Sequence, residues 1–317
     1  MFDGRAKTGT VKALEVACDE SGYEGEKLTG TTTDVFAHGA MSMARETAAG
    51  WLLELRKRIQ SPATQYKANH LLRERHRRTL EWALGPAGPF AGAGQVFLID
   101  KEFYLVQQIA RLTGDCSEEE TAIVYQAAAR HPSRRAFLVA ANDVLKTKGR
   151  PDGGDPVPVF TEIAGVLAAD LRSRAMARLA ESGTALAAFR ERLAADPELL
   201  PPADPLIPAI SRAVQYWSAG GGAVTIVHDR QTTLSRSPAK IAYLHAQYPG
   251  LAGVEYANPE VDERIQVVDM LAGVARKVAQ DELRGHSDPG LSRLVRPYVD
   301  PGSVWADRAS WARLTGT

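Results

Sequence analysis

The sequence predicts an α/β fold, with a mixed central sheet, flanking helices and a helical insertion. Three observations carry this. Strand-like apolar runs alternate with segments of helical periodicity. The first two strand-like runs are joined by a polar loop containing Gly, as in an antiparallel hairpin. The stretch from Glu118 to Asp204 is rich in Ala, Leu and Arg and reads as helical.

Val11 to Cys18 is predicted as the first strand, closed by the turn residues Ser21-Gly22, and Thr33 to Met43 as the second. Glu46 to Gln60 places Trp51, Leu52, Leu55 and Ile59 at helical spacing, and Ser61-Pro62 interrupts it. A second helix is expected from Leu71 to Leu84, then a short strand from Gln95 to Ile99. Phe103 to Leu112 fits either strand or helix. Pro132, the run Gly149 to Pro158 and Pro201-Pro202 punctuate the helical insertion, residues 118–204 of a single 317-residue domain. Beyond it come a helix over Pro205 to Ala219, a break at Gly220-Gly221-Gly222, and a strand from Ala223 to His228. A helix over Ser237 to Gln247, a short strand over Gly250 to Tyr256 and a long helix over Asp262 to Leu283 follow. The tail from His286 reads as irregular or weakly helical.

Composition narrows the function classes. The formal net charge is +0, which excludes a protein that coats nucleic acid non-specifically, so any such contact is local. Two cysteines, Cys18 and Cys116, provide neither a disulfide framework nor a thiolate zinc site. Met1 to Thr10 has no apolar core of signal-peptide length, and no apolar run reaches the roughly 20 residues that span a bilayer. A soluble cytoplasmic protein with no membrane partner is expected.

Acidic residues carry the chemistry. Asp19, in Asp19-Glu20-Ser21-Gly22, and Asp229 each close a predicted strand. Alternation places Asp19 with Ala17 and Asp229 with Val227, while Glu20 and His228 point the other way. Asp269 borders the apolar stripe Ile265, Val268, Ala272, Ala275 and Ala279 of the long helix, and a carboxylate there needs a partner against desolvation. Carboxylates from separate elements can hold two Mg²⁺ or Mn²⁺ ions, which activate water and stabilise both oxygens of a phosphodiester displacement. No His-x-x-x-His pair favours zinc. Each acid also has a plainer reading, as a turn residue, a strand end beside Arg230, or a backbone-bonded helix residue.

Taken together, Asp-Glu-Ser-Gly after a first strand, a later strand ending in Asp229-Arg230, and Ile265-Gln266-Val267-Val268-Asp269 in a late helix resemble the domain of unknown function 3800 family. The resemblance covers about Val11 to Ile109 and Pro205 to Val278 and omits the middle. It implies an RNase H-like fold and a metal-dependent nuclease site with Asp19, Asp229 and Asp269 as the acids. Val268 replaces the family's usual alanine in the Gln-x-Ala-Asp pattern. The family's Glu-x-Lys corresponds to Gln65-Tyr66-Lys67, so Gln65 stands where a glutamate is expected. Glutamine keeps the size and loses the charge, which makes it a poor ligand for either ion. The site is then disabled by design or by nature, unless Glu54 or another acid takes the place. By analogy alone, defence against mobile elements is a fitting role.

Further candidates surround these. Lys67 and His70 open a basic stretch running through Arg73, Arg75, His76, Arg77 and Arg78, which either meets phosphates or forms a solvated face balanced by Glu74 and Glu81. Lys101 is a candidate phosphate contact, and Glu102 an extra acid or mere surface charge. Glu20, Glu255 and Gln266 are candidates to support the ligands, and His38 and His228 are proton-shuttle candidates. The expectation is a metal-dependent nuclease acting on DNA or RNA, with the insertion available for a protein partner or homo-oligomer. Two rivals stand beside it: a weakly catalytic binding or scaffold protein on the same fold, and a metal-dependent phosphohydrolase of free nucleotides. Convergence of Asp19, Gln65, Asp229 and Asp269 is what the enzyme reading requires.

Overall fold

The structure is a computed structural model that describes residues 13–60, 66–114, 116–147, 154–196, 198–230, 232–235 and 237–317. Its chain begins with β1 (Leu14–Ser21) and β2 (Val35–Met41), the expected antiparallel hairpin, with Asp19 opposite Gly39 and Glu20 opposite His38. Next come α1 (Arg45–Ile59), α2 (Ala68–Leu71) and α3 (Arg77–Leu84), then β3 (Gly94–Asp100). The helices α4 (Lys101–Thr113), α5 (Glu118–Ala127), α6 (Arg134–Leu145), α7 (Pro156–Leu171), α8 (Arg174–Glu181), α9 (Gly183–Ala195) and α10 (Leu206–Ser218) follow without an intervening strand among the described residues. After them come β4 (Val224–Asp229), α11 (Thr232–Ser235), α12 (Pro238–Gln247), β5 (Leu251–Ala257), α13 (Glu263–Leu283), α14 (Pro289–Val295) and α15 (Arg308–Thr315).

The five strands form one open mixed sheet in the order β3-β2-β1-β4-β5. β1 pairs antiparallel with β2, and β2 with β3, whereas β4 runs parallel to both β1 and β5. Parallel neighbours need a crossover, which α12 supplies between β4 and β5.

Pleating separates two cores. One face carries Ala17, Val35, Ala37, Leu98 and Val227 against α13, α1 and α3. The other carries Val16, Cys18, Phe36, Phe97 and Ile226 against α4 to α10, so the helical insertion shares a continuous core with the sheet through Phe137, Phe160 and Leu186. Fully burying each such Leu or Phe contributes about 1.5–3 kcal/mol.

Several elements differ from the sequence expectation. β1 continues through Asp19 and Glu20 to Ser21, and the turn comes only at Gly22, whose φ is 83°. The single helix expected over Leu71 to Leu84 is broken into α2, a 3₁₀ turn at Glu74–His76, and α3. The break lets Ala68 and Leu71, and then Leu80 and Leu84, each face the core. Phe103 to Leu112 is helical because the Asp100 side chain accepts from Phe103 N and caps α4. The tail is ordered: α14 and α15 pack beside α13, and Val299 and Val304 bridge to Val96 and Ile99 on β3. No described helix is long and apolar enough to cross a membrane.

Candidate active site: an acid cluster between the sheet and α13

α13 lies along β1. The buried carboxylate of Asp262 caps its first turn and bonds Arg264, which also reaches Glu15 on β1 at 2.9 Å. Gly39 permits a close approach, since a Cβ there would stand 2.9 Å from Val268 Cγ2. That approach sets Asp269 beside Asp19, the residue paired with Gly39. Asp229 ends β4, one residue beyond His228, which pairs with Cys18. Asp19 and Asp229 therefore leave the sheet on the α13 face.

The electrostatics place the acids together. Burial pushes the Asp19 carboxyl well above the usual carboxylate range, and the charges of Glu20, Asp269 and Asp229 push it further. Asp269 is raised by burial first, opposed by Lys67 and reinforced by Asp229. Burial, followed by repulsion chiefly from Asp229, pushes Glu20 up to about 8. Like charges this close favour a proton or a cation among them.

Glu20 leaves β1 from the face opposite Asp19, as alternation predicts, yet near the strand end its carboxyl is also raised by the charges of Asp229 and Asp269. Its Oε2 is buried, makes no hydrogen bond among the described residues, and lies 3.8 Å from His228 Nε2. His228 and His38 are fully buried with their Nε2 atoms 3.2 Å apart. His228 Nδ1 faces the Asp229 carbonyl at 3.0 Å and so must carry the proton there. Its Nε2 then accepts from His38 Nε2–H. Burial lowers both imidazoles, His228 to about 4, so the pair is neutral at pH 7 and supplies Glu20 with no positive charge.

The remaining sequence candidates fall in different places. Lys67 Nζ is 3.8 Å from Asp269 Oδ2, because α2 rests on α13 where a Cβ on Gly273 would stand 2.4 Å from Ala68 Cβ. His70 Nδ1 accepts from Lys67 N at 3.2 Å and helps cap α2. Gln266 donates from Nε2 to the Pro259 carbonyl at 2.5 Å, tying the loop before α13 to its first turns. Glu255 is exposed on the edge strand β5, in register with Val227. Lys101 is not presented to a ligand. It is 1% exposed and its ammonium is taken by Thr33 Oγ1 at 2.8 Å and Glu24 at 3.4 Å. Glu102 is held by Thr29 and Arg134, and Glu54 pairs with Lys57 and Arg58 on α1. Gln65 lies outside the described residues.

One cation beside the end of β1 escaped the sequence reading. Arg276, two helical turns beyond Asp269, donates from Nε to Ser21 Oγ at 3.0 Å. Its spacing of seven residues from Asp269 was the available signal.

The donor set of four carboxylates suits a hard divalent ion such as Mg²⁺ or Mn²⁺. Among the described residues, no three His, Cys, Asp or Glu side chains already stand in ligand positions around one point. Filling the site therefore requires side-chain movement, for which Glu20 and Asp269 have no competing cation at hydrogen-bond distance among the described residues. No protein-family model, curated protein or solved structure matches this chain.

Proposed function

We propose that this chain is a metal-dependent nuclease with an RNase H-like layout, hydrolysing phosphodiester bonds at the acid cluster. The observation that carries the reading is the parallel register of β1 with β4, which brings Asp19 and Asp229 to neighbouring strand ends on the α13 face, where Asp269 and Asp229 act on the raised carboxyls of Asp19 and Glu20. The hairpin start and mixed sheet support the fold, and the acids' placement supports the resemblance to the domain of unknown function 3800 family. Mg²⁺ or Mn²⁺, when bound, would supply an activated water and charge stabilisation for the displacement. Asp19, Asp229 and Asp269 would hold the ions, with Glu20 joining them. His228 and His38 keep the Asp229 end of β4 in place. Lys67 screens Asp269 and is available to a substrate phosphate.

The lack of a ready-made three-ligand group among the described residues favours one rival, a weakly catalytic binding protein. Cleavage of labelled DNA and RNA should be assayed across Mn²⁺ and Mg²⁺ titrations. Asp19→Asn and Asp269→Asn should each lower metal-dependent cleavage at least about 100-fold, or roughly 3 kcal/mol of transition-state stabilisation. Both should raise the melting temperature in EDTA at pH 8, because each removes a carboxyl that repels its neighbours once ionised. Absence of cleavage by the wild-type chain, with no Mn²⁺ binding by calorimetry, would select the rival.

A further inference from the structure

The chain is neutral overall, yet residues 67–78 contain five Lys or Arg and one Glu. Arg73, Arg75 and Arg78 are exposed and make no ion pair among the described residues, in contrast to Arg77, which is held by Glu81 and Asp288. Arg73 and Arg75 converge on His76. Arg75 Nε donates to His76 Nε2 at 3.0 Å, and the charges of Arg75, Arg73 and His70 add to burial in lowering the His76 imidazole. At its start the ridge touches the acid cluster through Lys67 and Asp269. A continuous helix over these eleven steps would measure about 16 Å. That length is several times the phosphate spacing of one strand, about 3.4 Å along a duplex axis.

We infer that the exposed ridge from Lys67 to Arg78 is where the phosphate backbone of a nucleic-acid strand lies as it enters the acid cluster, so that the substrate is a polymer. This rests on the phosphodiesterase reading above and selects among its substrates. A free nucleotide needs one or two phosphate contacts beside the ions and leaves the distal arginines without a role. A strand engages all of them, and unpaired guanidiniums are what such a backbone requires.

Binding in EDTA tests the ridge apart from any cleavage. The probes are fluorescein-labelled 20-nucleotide single-stranded DNA and RNA, followed by anisotropy from 50 to 300 mM KCl, with ATP by calorimetry as the mononucleotide arm. Replacing Arg73, Arg75 and Arg78 together by Gln should weaken oligonucleotide binding at least tenfold at 100 mM salt. It should also make the log–log salt slope shallower by about 2, at roughly 0.7 per lost contact. Glu74→Gln, which removes the ridge's only carboxylate, should tighten binding, a gain that misfolding cannot produce. An unchanged affinity and slope in the triple variant, binding of ATP but of neither oligonucleotide, or no binding at all would overturn the inference. If oligonucleotides bind as expected but are never cut with Mn²⁺, the ridge stands and the hydrolytic reading falls.

Discussion

At the residue scale, the acid cluster makes the metal-free protein sensitive to pH in a defined direction. Glu20 rises from 4.5 to about 8, and Asp19 and Asp269 also rise. The folded state therefore holds these protons more tightly than the unfolded chain does. That contribution is fully present below about 4.5 and is lost as pH climbs towards about 8. In EDTA the melting temperature should fall between pH 5 and pH 8, and Glu20→Gln should flatten the fall. Saturating Mn²⁺ at pH 8 should restore what was lost, since the ion favours the carboxylate form. A melting temperature in EDTA that is level or rising over this interval would mean the carboxyls are not buried together. The positions of Asp19 and Asp229 near strand ends and of Asp269 in the long helix were legible in the sequence because these elements have strong patterns. The burial of Glu20 beside His228 was not, because alternation describes the direction in which a side chain leaves a strand and not what it meets there.

At the element scale, close contact between α13 and the sheet positions Asp269. Gly39→Ala would bring a Cβ to 2.9 Å from Val268 Cγ2 and 3.2 Å from the Val268 carbonyl. The carbonyl belongs to the helix backbone, so α13 itself must shift. Overpacking of this kind costs about 1–3 kcal/mol, measurable by urea unfolding. The shift should also weaken Mn²⁺ binding by the folded variant, whereas Gly253→Ala on β5, whose new Cβ would meet only Thr225 Cγ2 at 4.0 Å, should leave Mn²⁺ affinity unchanged. Equal affinity in the Gly39 and Gly253 variants would show that helix approach does not set the site. The apolar spacing of α1 and α13 made both helices readable to within one residue. The same spacing could not reveal the break between α2 and α3. That break depends on where Gly273 lets α2 settle, a contact about two hundred residues away along the chain.

At the scale of the whole molecule, the C-terminal segment closes one side of the sheet. Asp300 N donates to the Val96 carbonyl and Val304 N to the Leu98 carbonyl, both at 2.8 Å, so β3 is not left as an open edge. Asp300 is buried and paired with Arg212 of α10 at 2.7 Å, which ties this segment to the opposite layer. Removing residues 299–317 should expose the β3 backbone to pairing with other chains. Concentration-dependent association in light scattering and a lower melting temperature are expected. A monomer with an unchanged melting temperature would show that the segment is dispensable. The helical insertion is bound to the whole in the same way, since its Phe137 and Phe160 belong to the core beneath Val16 and Ile226.

By itself the sequence determined the α/β class, the hairpin start and the order of most strands and helices. These follow from local periodicity and from turn chemistry, which act over a few residues. Only the tertiary structure decided that β4 lies against β1, that Glu20 joins Asp229, that Lys67 reaches Asp269 while Lys101 is buried, and that the tail seals β3. Each of these depends on a contact between residues far apart in the chain, and the distance between two such residues is a property of the packing.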